Sequence, residues 1–261
     1  MKNMLSYKPG RLSGLAKLCA LILTLSFAQI IEAAQTVRLV GDPWPPYVDG
    51  KLGEDASSGV VVEILARVFE RIETVDVRFP LIPWKRALRE VEDGYSDGIP
   101  VLLKTAEREA YMLFSEPLMT GENLIWYSHA SKRRGFDWNH IEDLKPYRVG
   151  VTQGYSNGDL IDRGIETGEL NVLTAPSVQQ LFAMLANDRI DLALANDVVG
   201  YSFARRYPEA QIRPARKAVL SEVFYIGLSK KSAASQLIPQ INAAIKALRD
   251  EGVIDRILRG E

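Results

Sequence analysis

The sequence is nearly free of cysteine. Its 261 residues include one, Cys19, inside a stretch that reads as a removable leader, so the mature chain is expected to have no thiol. Disulfides and thiolate catalysis are thereby excluded. Histidine is almost as scarce, with only His129 and His140. A run long enough to span a bilayer is also missing: the longest apolar stretch, residues 18–25, is short for that purpose and is followed by Gln29 and Glu32. Basic runs are absent except for Lys132-Arg133-Arg134, which argues against nucleic acid as a partner. No low-complexity segment or long linker interrupts the chain.

The N-terminus has the pattern of a secretory signal. Lys2, Lys8, Arg11 and Lys17 precede the apolar run, and small residues follow it, with cleavage possible after Ala28, Ala33 or Ala34. We read residues 1–33 as a signal peptide and the mature chain as exported. Removing the leader takes four basic residues from 32 and Glu32 from the 33 acidic ones, leaving 28 against 32 and a formal charge of −4.

Past the leader, apolar patterns alternate in type. Residues 37–40 read as a short strand, and residues 60–72 as a helix with Ile64, Leu65, Val68, Phe69 and Ile72 on one face. Residues 75–82 read as a strand, 83–92 as a helix with Pro83 near its first turn, and 98–103 as a strand. This β-α-β-α-β order predicts a parallel sheet flanked by helices. The logic repeats, with strands over 148–151, 171–174 and 190–195 and helices over 158–163 and 178–187. Between the units lie two extended crossings, residues 124–129 and 219–229, and the chain ends in an amphipathic helix bearing Leu237, Ile238, Ile241, Ala244, Ile245 and Leu248. Two α/β units joined by two crossings predict a hinged clamshell with its cleft between the lobes. Residues 35–122 and 226–261 form one lobe and 123–225 the other.

Two short segments carry chemistry. Gly41 to Gly50 read GDPWPPYVDG, and Pro43, Pro45 and Pro46 make this loop stiff and unable to extend the sheet. Aromatic side chains on a stiff loop either pack on the core or grip a ligand. Asp42 is favoured over Asp49 as a cleft residue because it lies next to a strand end. Gly154-Tyr155-Ser156-Asn157-Gly158 fits the G-x-S-x-G nucleophile elbow. The elbow needs a later histidine, yet both histidines precede Ser156, so a serine hydrolase is a poor fit. A Gly-rich turn opening a helix instead suits an anion, with Ser156 adding a hydroxyl.

Several further segments carry a family resemblance: Pro83-Trp84-Lys85-Arg86-Ala87-Leu88, Gly94-Tyr95-Ser96-Asp97, and Thr105-Ala106-Glu107-Arg108 leading to Phe114-Ser115-Glu116-Pro117. So do Arg148-Val149-Gly150-Val151-Thr152-Gln153-Gly154, Asp188-Arg189-Ile190-Asp191 and Ala247-Leu248-Arg249-Asp250-Glu251-Gly252. In this order they resemble the family 3 periplasmic solute-binding proteins, the amino-acid-binding components of ABC importers, over essentially the whole mature chain. The resemblance implies the type II periplasmic-binding-protein clamshell. It implies that Arg108 binds a ligand carboxylate, a role its guanidinium fork suits, and that Gly154 and Ser156 contact the same carboxylate from the second lobe. It places an aromatic wall at Trp44 or Tyr47, facing Trp84; core packing is the other reading of Trp84. The family's amino-group carboxylate falls here on Asn196, with Asp197 one step on.

The function implied is capture of a small amino-acid-like solute in the periplasm by a monomer that delivers it to an inner-membrane ABC permease. No catalytic residue, metal or cofactor is implied. An enzyme resembling the periplasmic cyclohexadienyl dehydratases would need an acid in the cleft, and the sequence does not place Glu63, Glu122 or Glu222 there. A sensory partner of a membrane receptor is a third class.

Overall fold

The computed structural model describes residues 35–73, 75–131 and 135–259. The leader and the run Lys132-Arg133-Arg134 lie outside the described residues. The first unit consists of β1 (Gln35–Arg38), α1 (Val60–Phe69), β2 (Val75–Arg78), α2 (Trp84–Asp93) and β3 (Gly98–Leu103), followed by α3 (Ala106–Tyr111) and β4 (Met112–Phe114). After β5 (Met119–Ser128) the second unit follows: β6 (Arg148–Thr152), α4 (Asp159–Glu166), β7 (Asn171–Ala175), α5 (Val178–Ala186) and β8 (Leu192–Asn196). Then come α6 (Asp197–Ala204), β9 (Ile212–Pro214), β10 (Leu220–Ser229), α7 (Ile238–Asp250) and α8 (Val253–Arg259). Among the described residues no helix is long and apolar enough to cross a membrane.

Local chemistry sets the element ends. In α1 the apolar stripe buries Val61, Ile64, Leu65, Val68 and Phe69 on one face. Pro83, whose ring fixes φ, precedes α2, and Gly94 ends it at φ 84°. The Thr105 hydroxyl accepts from the Arg108 N–H and caps α3, the helix that carries Arg108. Asn196 caps α6 in the same way, accepting from the Val199 N–H. Neither α6 nor α8 is anticipated from the sequence.

Each unit centres on three parallel strands. In the first, β2 pairs with β1, and Leu39, just past β1, bridges to Gly98 of β3. In the second, β6 lies between β7 and β8. The long strands then add antiparallel edges, β10 on β3 and β5 on β8. They also pair with each other, Met119–Asn123 against Leu220–Phe224. β5 therefore leaves β10 for β8 at Asn123, and β10 leaves β5 for β3 at Phe224. The result is a two-lobed α/β clamshell. Its parallel character is confined to the three-strand centre of each lobe, because the crossing strands enter from the opposite direction. Those crossings, expected as extended connectors, are paired strands that join the lobes through a shared ladder.

Trp126 anchors the second lobe. It is fully buried on β5, with ring centroids 5.7 Å from Phe182 and 5.0 Å from Tyr201. Its Nε1–H donates to the Ala195 carbonyl at 3.1 Å, tying β5 to the end of β8. Gly200 on α6 lies flat against the indole, where a Cβ would come within 2.1 Å of the ring.

Candidate functional site

The C-terminal ends of the parallel strands in both lobes open onto one cavity of about 60 Å³, where open α/β sheets place their ligands. The first lobe contributes Asp42, Trp44, Trp84 and Arg108 to its wall, and the second contributes Tyr155, Ser156, Asn157 and Asn196. Asn123, Glu222 and Phe224 line it from the crossing strands.

Arg108 is 5% exposed and has no carboxylate within ion-pair distance among the described residues. Its Nη1 donates to the Leu103 carbonyl at 2.8 Å and its Nη2 to the Gly154 carbonyl at 3.3 Å, which leaves three of five N–H donors for other acceptors. The guanidinium lies 5.5 Å from the Trp84 ring centre. Burial pulls its pKa below the usual arginine value, as expected for a cation removed from water without a partner.

The Gly154–Gly158 turn is built differently from the expected anion cradle. Gly154, at φ 79°, turns its carbonyl to the first lobe, where the Trp84 Nε1–H donates to it at 2.9 Å. The Ser156 hydroxyl donates to Asp162 at 2.9 Å, and the Asn157 N–H to the same carboxylate at 3.0 Å. Asp162, in the first turn of α4, thus accepts from one of the two residues assigned to a ligand anion, Ser156, and from its neighbour Asn157. Tyr155, which the sequence did not single out, crosses the cleft instead. Its hydroxyl donates to Asp42 at 3.0 Å, and its ring meets Trp84 edge-on at 5.4 Å.

The aromatic residues divide. Trp44 and Trp84 both line the cavity, and Trp84 also packs in the first-lobe core. Tyr47 is buried behind Trp44, at 4.8 Å between centroids, and is absent from the wall; Phe224 supports Trp44 from the other side at 5.2 Å. Gly59 lets this loop close over α1, since a Cβ there would lie 2.3 Å from the Tyr47 carbonyl.

At the end of β8, Asn196 meets an acid from β10. Asn196 donates through Nδ2 to Glu222 at 2.8 Å, and Asn123 donates to the other oxygen at 3.1 Å. Asp197, the neighbouring candidate, does not line the cavity and accepts from its own helix start at the Val198 N–H. Gly121 leaves room for this arrangement, because a Cβ there would lie 2.5 Å from Asn196 Nδ2. Gly121→Ala is therefore expected to push that amide off Glu222 and weaken ligand binding roughly tenfold, the loss of about one net hydrogen bond. A titration of the variant checks this.

Burial pushes Asp42 up to about 7, with the Tyr155 hydrogen bond acting against it. Burial likewise raises Glu222 to about 7, opposed by the Asn196 and Asn123 amides. Both acids bind protons more tightly folded than unfolded, so their stabilising contribution is complete below their ordinary values of 3.8 and 4.5. It is lost as pH rises through about 7. The melting temperature of the ligand-free protein is expected to fall between about pH 4 and 7, and less steeply in Asp42→Asn and Glu222→Gln. Equal slopes in all three proteins would contradict this.

The model of the bacterial extracellular solute-binding proteins, family 3, matches residues 38–260. The chain belongs to that family. No curated protein sequence matches this family member. Among solved structures it is similar to an ancestral arginine-binding protein bound to arginine, with TM-score 0.75, 19% identity, and coverage of 88% of this chain and 99% of the other. A histidine kinase sensor domain with similarity to periplasmic binding proteins gives TM-score 0.75, 18% identity and coverage of 88% and 96%. The ancestral amino-acid-binding protein AncCDT-1, a precursor of cyclohexadienyl dehydratase, gives 0.70, 19%, 86% and 94%. These solute-binding likenesses establish the shared clamshell fold.

Proposed function

We propose that this is a periplasmic solute-binding protein that captures an amino acid or a closely related carboxylate in the cleft between its lobes. It acts as a monomer, without cofactor or metal, and presents its cargo to an ABC-type permease in the inner membrane. The lobes divide at residues 35–122 with 226–261, and 123–225, close to where β5 and β10 change partners at Asn123 and Phe224. The observation that carries the reading is Arg108, a buried guanidinium facing the cavity with no carboxylate among the described residues to pair with. Such a cation is costly alone and is satisfied by a ligand carboxylate. Similarity to an arginine-binding protein and to the substrate-binding protein of an amino acid ABC transporter supports the ligand class and the permease partner.

Trp44 and Trp84 on the cavity wall make tryptophan fluorescence a direct reporter. Titrating the purified protein with each common amino acid is expected to give a saturable, one-to-one change for at least one of them. No change with any α-amino acid would overturn the reading.

Glu222 and Asp42 favour a second reading. Enclosed carboxylic acids still partly protonated near neutral pH can donate a proton to a bound substrate. Slow conversion of a bound carboxylate, lost in Glu222→Gln, would support an enzyme.

A further inference from the structure

Three ionisable groups in the cleft lack an opposite charge among the described residues. The hydrogen bonds of the Arg108 guanidinium go to carbonyls. Asp42, 9% exposed, accepts from the neutral Tyr155 hydroxyl. Glu222, 4% exposed, accepts from the two neutral amides, and the neighbouring charge of Asp197 opposes its ionisation. Beside Glu222, Asn123 Oδ1 is buried with no donor among the described residues. The cleft therefore offers one cation and two anions, with an acceptor to spare. A bound molecule that completes it brings one carboxylate and two groups rich in N–H donors.

Resting on the reading of the cleft as an amino-acid site, we propose that its ligand is a dibasic amino acid, whose carboxylate pairs with Arg108 and whose two cationic groups pair with Glu222 and Asp42. A ligand of this class, with net charge +1, leaves none of the three groups unpaired. A neutral zwitterion leaves one acid without a counter-charge, and that acid must stay protonated or bear the full cost of burial. An acidic amino acid adds a second anion to a site already holding two. The aromatic wall agrees with this choice. Trp44 and Phe224, 5.2 Å apart, and Trp84 present ring faces and edges to the aliphatic stem and the cation of such a side chain. The hinge strands carry the recognition on the anionic side, because Glu222 and Asn123 face each other where β5 and β10 cross between lobes. A cation bound there contacts both crossings and draws on the ladder that joins the lobes.

The test is calorimetric titration of the wild-type protein at about pH 8, where both acids are largely ionised. The probes are lysine, ornithine, arginine, norleucine, glutamine and glutamate. Norleucine is lysine without its ammonium group. At least one dibasic amino acid is expected to bind one hundredfold or more tighter than norleucine, glutamine and glutamate, on the order of an unpaired buried charge. Glu222→Gln and Asp42→Asn preserve shape and remove a buried charge, and each is expected to reduce the dibasic preference at least tenfold. Should either variant fail to fold, the wild-type ratio of lysine to norleucine affinity decides alone. A neutral or acidic amino acid that binds as tightly as every dibasic one would overturn the inference and leave the amino-acid reading standing. So would a dibasic preference untouched in both variants. Absence of binding by all six probes together with the other common amino acids would overturn both.

Discussion

Arg108→Ala is expected to abolish solute binding while leaving the fold intact. The Thr105 cap fixes the Arg108 backbone at the start of α3, and the Leu103 and Gly154 carbonyls hold its guanidinium, so it is positioned before a ligand arrives. A charge-assisted, two-donor contact to a carboxylate in an enclosed site contributes roughly 3 kcal/mol or more, which corresponds to at least a hundredfold in affinity. The truncation also removes a buried, unpaired charge, and this offsets the loss of two hydrogen bonds to carbonyls. The melting temperature of the ligand-free variant should therefore stay near that of the wild type. Titration of wild type and variant with the tightest-binding amino acid checks the first expectation, and a thermal melt checks the second. Equal affinities would mean that the carboxylate is held elsewhere.

Trp126→Ala is expected to have the largest effect on stability, a loss of about 3–5 kcal/mol for a fully buried indole. The void would open between Phe182 on α5 and Tyr201 on α6, with the flat face of Gly200 unable to fill it. The change would also remove the side-chain hydrogen bond to the Ala195 carbonyl, one residue from Asn196 and its contact to Glu222. Binding should weaken together with stability, because the second-lobe wall of the cleft is set by that strand end. Urea denaturation of the purified variant measures the first effect. A change below about 1 kcal/mol would show that the second-lobe core does not depend on this ring.

Much of this architecture is legible in the sequence, where hydrophobic period and punctuation agree. The β3 limits, Gly98–Leu103, match the expected range, and α1 buries four of the five residues picked for its face, with Ile72 buried just beyond its end. The helix α6 is not legible, because DVVGYSFA has a weak apolar period and a central glycine. That glycine is explained only by Trp126 lying against it, a contact between residues 74 positions apart in sequence. The site divides in the same way. Arg108 is marked by its motif, whereas Tyr155 fills an unconstrained place in the G-x-S-x-G turn, and its reach to Asp42 depends on how the two lobes meet. Glu222 did leave a signal. Along β10 it falls in phase with Phe224, Ile226 and Leu228, an acid in the buried stripe of an alternating strand. That stripe foretells burial but not the partners, because Asn123 and Asn196 reach Glu222 only through the register of β5 against β10 and β8. In the turn after β6 the motif gives the Ser156 hydroxyl but not its partner, because Asp162 reaches Ser156 and the Asn157 N–H only once α4 folds back on the turn.

A crystal structure of the protein with its tightest-binding amino acid tests the central claim most directly. The ligand is expected in the cleft between the lobes, with its carboxylate on the Arg108 guanidinium and an N–H donor of its amino group on Glu222. A ligand bound outside that cleft, or bound inside it with Arg108 still contacting only the Leu103 and Gly154 carbonyls, would contradict the account.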